Sequence, residues 1–230
     1  MEKIKTFFKT DAQYKAQLNT YDKTDGIFAI LYFALFMAVY YIMGLVMTNT
    51  GIYLGLPCNL LLALLSIVHV LLRHQKLSSL GLTGGKIRQA VLFGGILGLI
   101  FFAAGGILPG ITSGARLRDV TAILYNIFHY FVIIGLVEEI AFRGFIQTRL
   151  YGLIKNDIAA VFVGAIMFAL MHIPFQLAAH QMNFAGFLAN APFLIFWHIF
   201  FNFLHRKFNS IYGNTLFHGF MDLCSGIFLG

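Results

Sequence analysis

Charged side chains are scarce in this sequence of 230 residues. Asp, Glu, Lys and Arg make up 11% of it, whereas a soluble domain has about 25%. Hydrophobic residues reach 59%, and the mean hydropathy is +0.81. This balance excludes an ordinary soluble domain and predicts a protein embedded in a membrane.

Cysteine and proline are also rare. The two cysteines, Cys58 and Cys224, lie in different apolar segments, and no C-x-x-C pair occurs. We interpret both as small packing residues, because free cysteine is readily buried. Of the four prolines, Pro109 and Pro174 fall where apolar segments end, as expected of a residue that cannot continue a helix.

Long apolar runs fill most of the chain. A helix needs about 20 mostly apolar residues to cross about 30 Å of hydrocarbon. We therefore predict an all-α, polytopic membrane protein with about seven transmembrane helices and a buried site between the last four. The predicted spans are 27–47, 54–73, 91–110, 120–141, 158–172, 185–203 and 209–229. The fourth has an alternative end at about 152. The spans form one domain, 27–230. GGILG, at 94–98, has a small-xxx-small spacing that suits close helix packing.

The first 26 residues are polar and rich in lysine. The apolar run after them is too long for a signal-peptide core and lacks a small-x-small cleavage site, so we interpret 1–26 as a cytosolic basic tail, partly lying on the membrane surface. With the N-terminus inside, every Lys and Arg except Arg116 and Arg118 falls on the cytosolic side. We expect a bacterial plasma membrane as the location. Because the basic residues form no dense patch, the net charge of +7 does not indicate a nucleic-acid partner.

Ionisable residues inside the predicted spans are candidate functional groups, because a charge at bilayer depth costs on the order of 3 kcal/mol or more. Glu138, Glu139 and Asp222 are the acidic residues in such positions. Glu139 and Arg143 are four residues apart, share one helix face and can pair. Glu138 is turned about 100° away and has no obvious local partner. This makes Glu138 a candidate general base or acid.

Two histidines join these carboxylates in the predicted fold. His172 and Glu138 each lie 14 residues from the predicted turn at 152–158, so both stand about 21 Å from it. His218 and Asp222 share one face of the last helix, about 12 and 18 Å along it. We therefore expect one cluster, reached from the cytosolic side. We interpret the other six histidines as packing groups and would reconsider His198 first. They are His69, His74, His129, His180, His198 and His205.

Known signatures of intramembrane proteases limit the classes of catalytic mechanism that the sequence can support. The zinc motif H-E-x-x-H, the aspartyl motif G-x-G-D and the serine motif G-x-S-G are all absent from the sequence. Three other motifs are present in order. They are E-E-x-x-x-R at Glu138, Glu139 and Arg143, F-x-x-x-H at Phe168 and His172, and H-x-x-x-D at His218 and Asp222.

This set of motifs resembles the CAAX-protease and bacteriocin-processing family, also called Abi or type II CAAX prenyl endopeptidases. The stretch FLIFWHIFFNFLHRKFNSIYGNTLFHGFMD resembles the closing hairpin of that family. The resemblance covers about 77–225, and the first two helices carry none of it. It implies hydrolysis of a peptide or membrane-protein substrate within the bilayer. By similarity, Glu138 activates a water with help from His172, His218 and the residue at 222 stabilise the oxyanion, and Glu139 with Arg143 holds the site together.

Asp222 departs from the eukaryotic pattern, which has Asn at this position. An ionised carboxylate cannot donate a hydrogen bond to an oxyanion. Three alternatives stay open: Asp222 is protonated, it orients His218, or it binds a metal. The metal version makes the protein a metalloprotease, with zinc held by Glu138, His172 and His218.

Two functions from other classes remain as alternatives. One is a non-catalytic bacteriocin immunity or partner-binding protein that uses the same cavity. The other is a small proton-coupled transporter that uses the buried acids. The transporter ranks low, because the sequence has no inverted repeat and no paired broken helices. The sequence does not indicate the substrate, whether it is prenylated, or the oligomeric state.

Overall fold

The computed structural model describes residues 9–229, which fold into helices joined by short loops. The helices are α1 (Ala12–Leu18), α2 (Lys23–Thr50), α3 (Gly55–Leu72), α4 (Ile87–Thr112), α5 (Val120–Gly152), α6 (Asp157–Leu170), α7 (Ile173–Ala178), α8 (Phe184–Phe208) and α9 (Tyr212–Leu223). Within this range the one extended pairing is an isolated bridge between Leu117 and Phe228. The predicted all-α class is confirmed.

Six stretches within 9–229 are helical, long and apolar enough to cross a membrane: α2, α3, α4, α5, α6 together with α7, and α8. The first begins at Lys23, so its predicted start at 27 is wrong. The Asp22 carboxylate accepts a hydrogen bond from the Asp25 backbone N–H, and the Asp25 carboxylate accepts one from the Asp22 backbone N–H. This capping box starts the helix among polar residues, ahead of the apolar run.

Helix α5 takes the longer of the two predicted forms and runs for 33 residues. It contains two π-helical stretches, His129–Leu136 and Glu139–Ile146. Such wide turns are rare and occur often at functional sites. Every residue from 137 to 151 is buried, including Arg149, which donates to the Ser79 carbonyl and the Gln75 amide. The second half of α5 therefore passes through the centre of the bundle.

The predicted seventh span is only partly helical. Helix α9 has 12 residues, or about 18 Å, too short to cross a bilayer. The two ends of the predicted span are nevertheless held near opposite ends of α4. The Ile211 N–H donates to the Gly81 carbonyl at 3.2 Å, and the Leu229 N–H donates to the Arg116 carbonyl at 2.8 Å. The chain completes this passage with the non-helical residues after α9.

Close packing of α4 on α9 uses the glycines that the sequence singled out. A Cβ added at Gly94 would overlap the Gly213 carbonyl oxygen, and one at Gly98 would lie 3.1 Å from the Phe217 Cα. Small residues let two backbones approach in this way. This contact sets the position of α9, and with it the position of His218.

The two prolines predicted to end helices behave differently. Helix α6 ends at Leu170, and Pro174 lies in the first turn of α7. Pro109 lies inside α4, which continues to Thr112, so its predicted role as a terminator is wrong. It follows the π-helical stretch Ala103–Ile107 and begins a new α-helical turn, where a missing N–H is tolerated.

The described part of the tail, residues 9–22, packs on the protein, and residues 1–8 lie outside the described residues. Tyr14 and Tyr21 are buried. Asp11 forms an ion pair with Lys86 at 2.8 Å, and its backbone N–H donates to the Arg206 carbonyl. Residues 9–22 thus pack on the segments before α4 and at the end of α8, and their position relative to the membrane surface stays a prediction.

Candidate active site

Two helices bring the central side chains together. Glu138, Glu139 and Arg143 come from the buried half of α5, and His218 and Asp222 come from α9. The sequence therefore predicted correctly that these five residues meet. Their meeting depends on α9 lying against the same part of α5, which the α4 glycines permit.

Glu139 is fully engaged and completely buried. Its Oε1 atom lies 3.1 Å from Arg143 Nη1 and 3.3 Å from His218 Nδ1. Its Oε2 atom accepts a hydrogen bond from Asn214 Nδ2 at 2.9 Å. Two hydrogen bonds and one ion pair on the same carboxylate favour its ionised form and fix its orientation. Glu139 is therefore suited to hold other groups rather than to exchange protons.

Arg143 is held by aromatic rings as well as by its carboxylate. Its Cζ atom lies 4.1 Å from the centre of the Phe168 ring and 4.8 Å from that of Phe201. A guanidinium between two ring faces gains cation–π attraction, which is strongest where water is excluded. The predicted pair with Glu139 is present in the structure, and Phe168 has a defined contact in it.

Glu138 differs from its neighbour. It is 6% exposed, and its Oε2 atom has no hydrogen-bond partner among residues 9–229. His218 Nε2 lies 3.9 Å from this oxygen, a separation that exceeds a hydrogen bond. Glu138 is thus a buried carboxylate with an unused oxygen.

His218 lies between three carboxylates. Its Nδ1 atom faces Glu139, and its Nε2 atom is 3.9 Å from Glu138 and 3.5 Å from Asp222. The ring stacks on Phe201 with centroids 5.3 Å apart. Asp222 keeps 25% of its side chain exposed, so the cluster is open on that side.

His172 lies at the junction of α6 and α7 and is half-buried. Its Nδ1 atom donates to the Phe168 carbonyl at 2.9 Å. Its ring lies 5.0 Å from the Phe168 ring, whose face holds Arg143. It interacts electrostatically with His218 and Arg143, whereas the described contacts include none between His172 and Glu138. His172 therefore borders the cluster instead of touching the carboxylate.

Sequence reasoning missed Asn214 and Phe201. Asn214 donates to Glu139 and to the Phe201 carbonyl, and it precedes His218 by four residues on the same face of α9. This four-residue spacing could have indicated Asn214 as a site residue from the sequence. His198 bonds Gln147 through Nε2 at 2.9 Å and packs near Phe168. It keeps its interpretation as a packing group.

The predicted zinc set does not form a metal site in this geometry. Among the residues that the structure describes, no three His, Cys, Asp or Glu side chains are arranged to hold a metal ion. Glu138, His172 and His218 are therefore not arranged as a ligand set in this geometry. Cys58 and Cys224 are free and half-buried, consistent with packing roles.

Comparison with known proteins agrees with this arrangement. Residues 120–224 match the family described as type II CAAX prenyl endopeptidase Rce1-like. The match begins with α5, ends just after α9 and includes all six predicted site residues. No curated protein and no solved structure gives a significant match to the chain. Residues 120–224 of the chain are therefore similar to the type II CAAX prenyl endopeptidase family, Rce1-like.

Proposed function

We propose that this membrane protein is an endopeptidase in which Glu138 activates the water that cleaves a peptide bond. The observation that carries the proposal is the contrast between two adjacent carboxylates. Glu139 is held by two hydrogen bonds and one ion pair, while Glu138 Oε2 has no hydrogen bond within the described part of the chain. A general base needs an oxygen that is available to the attacking water.

His172 is suited to assist from the second side of that water. Its Nδ1 proton is donated to the Phe168 carbonyl, so the neutral ring carries a lone pair on Nε2. In this mechanism Nε2 helps to orient the water, and Glu138 accepts its proton. The resulting hydroxide attacks the carbonyl carbon, and Glu138 returns the proton to the leaving amine.

His218 is suited to stabilise the negative charge that develops on the substrate oxygen. Nδ1 donates to Glu139, so a second N–H, on Nε2, requires the imidazolium form. Glu139 and Asp222 supply compensating negative charge within 3.5 Å of the ring. In this form Nε2 donates to the oxyanion, and burial strengthens the interaction.

Asp222 then acts through His218. Of its three possible roles, orientation of the imidazole has the most direct support. Oδ2 lies 3.5 Å from His218 Nε2, so its negative charge attracts the imidazolium while the Nε2 proton remains for the oxyanion. This role requires no proton on Asp222 and no metal. The Glu139–Arg143 pair between Phe168 and Phe201 gives the His218 ring a fixed support.

The same proposal places the N-terminus in the cytosol. The segments 1–23, 73–88 and 206–207 hold 11 of the 16 Lys and Arg. Within residues 9–229 these segments contact one another at one end of the bundle. Under the positive-inside rule this end faces the cytosol.

The test is cleavage of a peptide and membrane-peptide library by purified protein in detergent. Wild type is compared with Glu138→Gln, and Asp119→Asn serves as control. Asp119 is an exposed N-cap of α5, remote in sequence from the site, and Asn can cap in its place. We expect cleavage by wild type and by the control, in the presence of a chelator, and no cleavage by Glu138→Gln.

Two results would redirect the proposal. Loss of cleavage with chelator and recovery with zinc would assign the chemistry to a metal. Absence of cleavage by wild type, together with full protection of cells from a bacteriocin by the Glu138→Gln protein, would favour the non-catalytic immunity function.

A further inference from the structure

Helices α2 and α3 lie outside the residues that match the family, yet both pack on α5 beside the candidate site. Tyr32, Phe36 and Tyr40 form one buried stripe on α2. The Phe36 ring lies 5.4 Å from Phe142, and the Tyr32 ring lies 5.0 Å from Phe145. The stripe therefore follows α5 through the segment that carries the E-E-x-x-x-R motif.

At the end of this stripe, two polar side chains connect α2 and α3 to the backbone of α5. Tyr40 Oη donates to Asn59 Oδ1 at 2.8 Å, and Asn59 Nδ2 donates to the Ile133 carbonyl at 3.2 Å. Tyr40 is 9% exposed and Asn59 is 2% exposed. Ile133 belongs to the π-helical stretch that ends two residues before Glu138.

The π-helical backbone of α5 explains why these hydrogen bonds matter. A widened turn departs from the regular α-helical pattern of hydrogen bonds. Within a membrane, backbone groups released in this way must be satisfied by neighbouring helices. The Asn59 amide gives the Ile133 carbonyl of the widened stretch a donor from α3, and Tyr40 fixes the amide by occupying its oxygen.

We propose that Tyr40 and Asn59 are positioning residues that hold the π-helical turn of α5 in the register that presents Glu138 to the substrate. This inference rests on the proposed function, since it assigns Glu138 the role of base. The consequence is that the active site needs two helices from outside the matched domain.

The chain offers a matched control for this pair. Tyr32 lies two turns earlier on α2, is buried to the same extent, and donates to the Leu62 carbonyl of α3 at 2.8 Å. It therefore ties the same two helices together with the same chemical group, but it does not contact α5 through a hydrogen bond in the described structure. Tyr32→Phe and Tyr40→Phe each remove one hydroxyl from the α2–α3 interface.

The experiment measures kcat and KM for Tyr40→Phe, Asn59→Leu, the double variant and Tyr32→Phe, on a peptide that wild type cleaves. Hydrogen exchange over 129–138 and thermal unfolding are measured on the same samples. We expect kcat to fall roughly tenfold for Tyr40→Phe and up to roughly a hundredfold for Asn59→Leu, with KM nearly unchanged, because a base displaced by about 1 Å loses that much. Exchange over 129–138 rises in both variants.

Tyr32→Phe should lower the unfolding temperature about as much as Tyr40→Phe while leaving kcat and exchange over 129–138 near wild type. In the double variant the losses in kcat should not add, because both residues act through one chain of bonds. Equal effects of Tyr40→Phe and Tyr32→Phe on kcat and exchange would overturn the inference. If wild type shows no cleavage that depends on Glu138, the proposed function fails, and the exchange measurement still decides whether the pair holds the turn.

Discussion

Glu139 and His218 are 79 residues apart in the sequence, and their Oε1 and Nδ1 atoms lie 3.3 Å apart in the fold. Because of this contact, the two neighbouring glutamates have different roles. Glu139 is committed to His218, Arg143 and Asn214, which leaves Glu138 as the carboxylate with an available oxygen. Substitutions at these residues and in the packing around them test this division of roles.

Replacement of the two glutamates should separate activity from stability. Glu138→Gln removes the base, and we expect cleavage to fall by about 10²–10⁴-fold with little change in unfolding. Glu139→Gln leaves Arg143 buried without its anion, which should lower the free energy of unfolding by about 3–5 kcal/mol. Cleavage rates and thermal unfolding in detergent measure both. A larger stability loss in Glu138→Gln than in Glu139→Gln would contradict the assignment.

Asn214 should matter even though no motif contains it. Asn214→Ala removes the donor to Glu139 Oε2 and to the Phe201 carbonyl. Because both acceptors are buried, we expect a stability loss of about 1–3 kcal/mol and reduced kcat. The control is Asn49→Ala, on the exposed end of α2. Equal unfolding temperatures for the two variants would show that the Asn214 hydrogen bonds do not contribute to stability.

Gly94 and Gly95 are neighbours in sequence with different surroundings. A Cβ at Gly94 would overlap the Gly213 carbonyl of α9, whereas one at Gly95 would meet only Leu216 Cδ1, at 3.6 Å. We therefore expect Gly94→Ala to destabilise the protein and to reduce cleavage by displacing His218, and Gly95→Ala to be tolerated. Unfolding temperatures of the two variants decide this, and the reverse order would refute the close contact of α4 with α9.

Docking of the tail should weaken only at acidic pH. Partial burial opposes ionisation of Asp11, but the Lys86 ammonium and the Gln13 and Tyr14 N–H groups lower the pKa of this carboxyl below its ordinary value of 3.8. The contribution of a carboxyl with a lowered pKa is complete above its unfolded pKa and is lost as the pH falls through the folded one. Hydrogen exchange of 12–18 should therefore stay constant from neutral pH to about 5 and rise below about 4.

Two substitutions separate the parts that Asp11 plays in that docking. Asp11→Asn keeps an N-cap and loses the ion pair, and Asp11→Ala loses both. Exchange of 12–18 at neutral pH should rise in the order wild type, Asp11→Asn, Asp11→Ala. A rise in exchange between pH 8 and pH 6 in wild type would argue that another group controls the tail.

Local sequence signals were sufficient for several features of the site. The spacing of Glu139 and Arg143 required one helix face, and their atoms are paired. The low charge and long apolar runs required helices that cross a membrane. The start of α2 and the course of α4 past Pro109 were placed wrongly, because a capping box and a π-helical stretch moved the limits that hydropathy suggested.

The sequence alone determined that this is a helical membrane protein, which residues can carry chemistry, and which of them share a helix face. It could do so because composition, helical period and motif spacing are local properties. Tertiary structure alone decided that Glu138 keeps an unused oxygen, that Asn214 supports Glu139, and that Tyr40 and Asn59 reach the turn before Glu138. The contacts to α5 join residues about 75 positions apart, so they depend on how whole helices pack, which no local preference specifies.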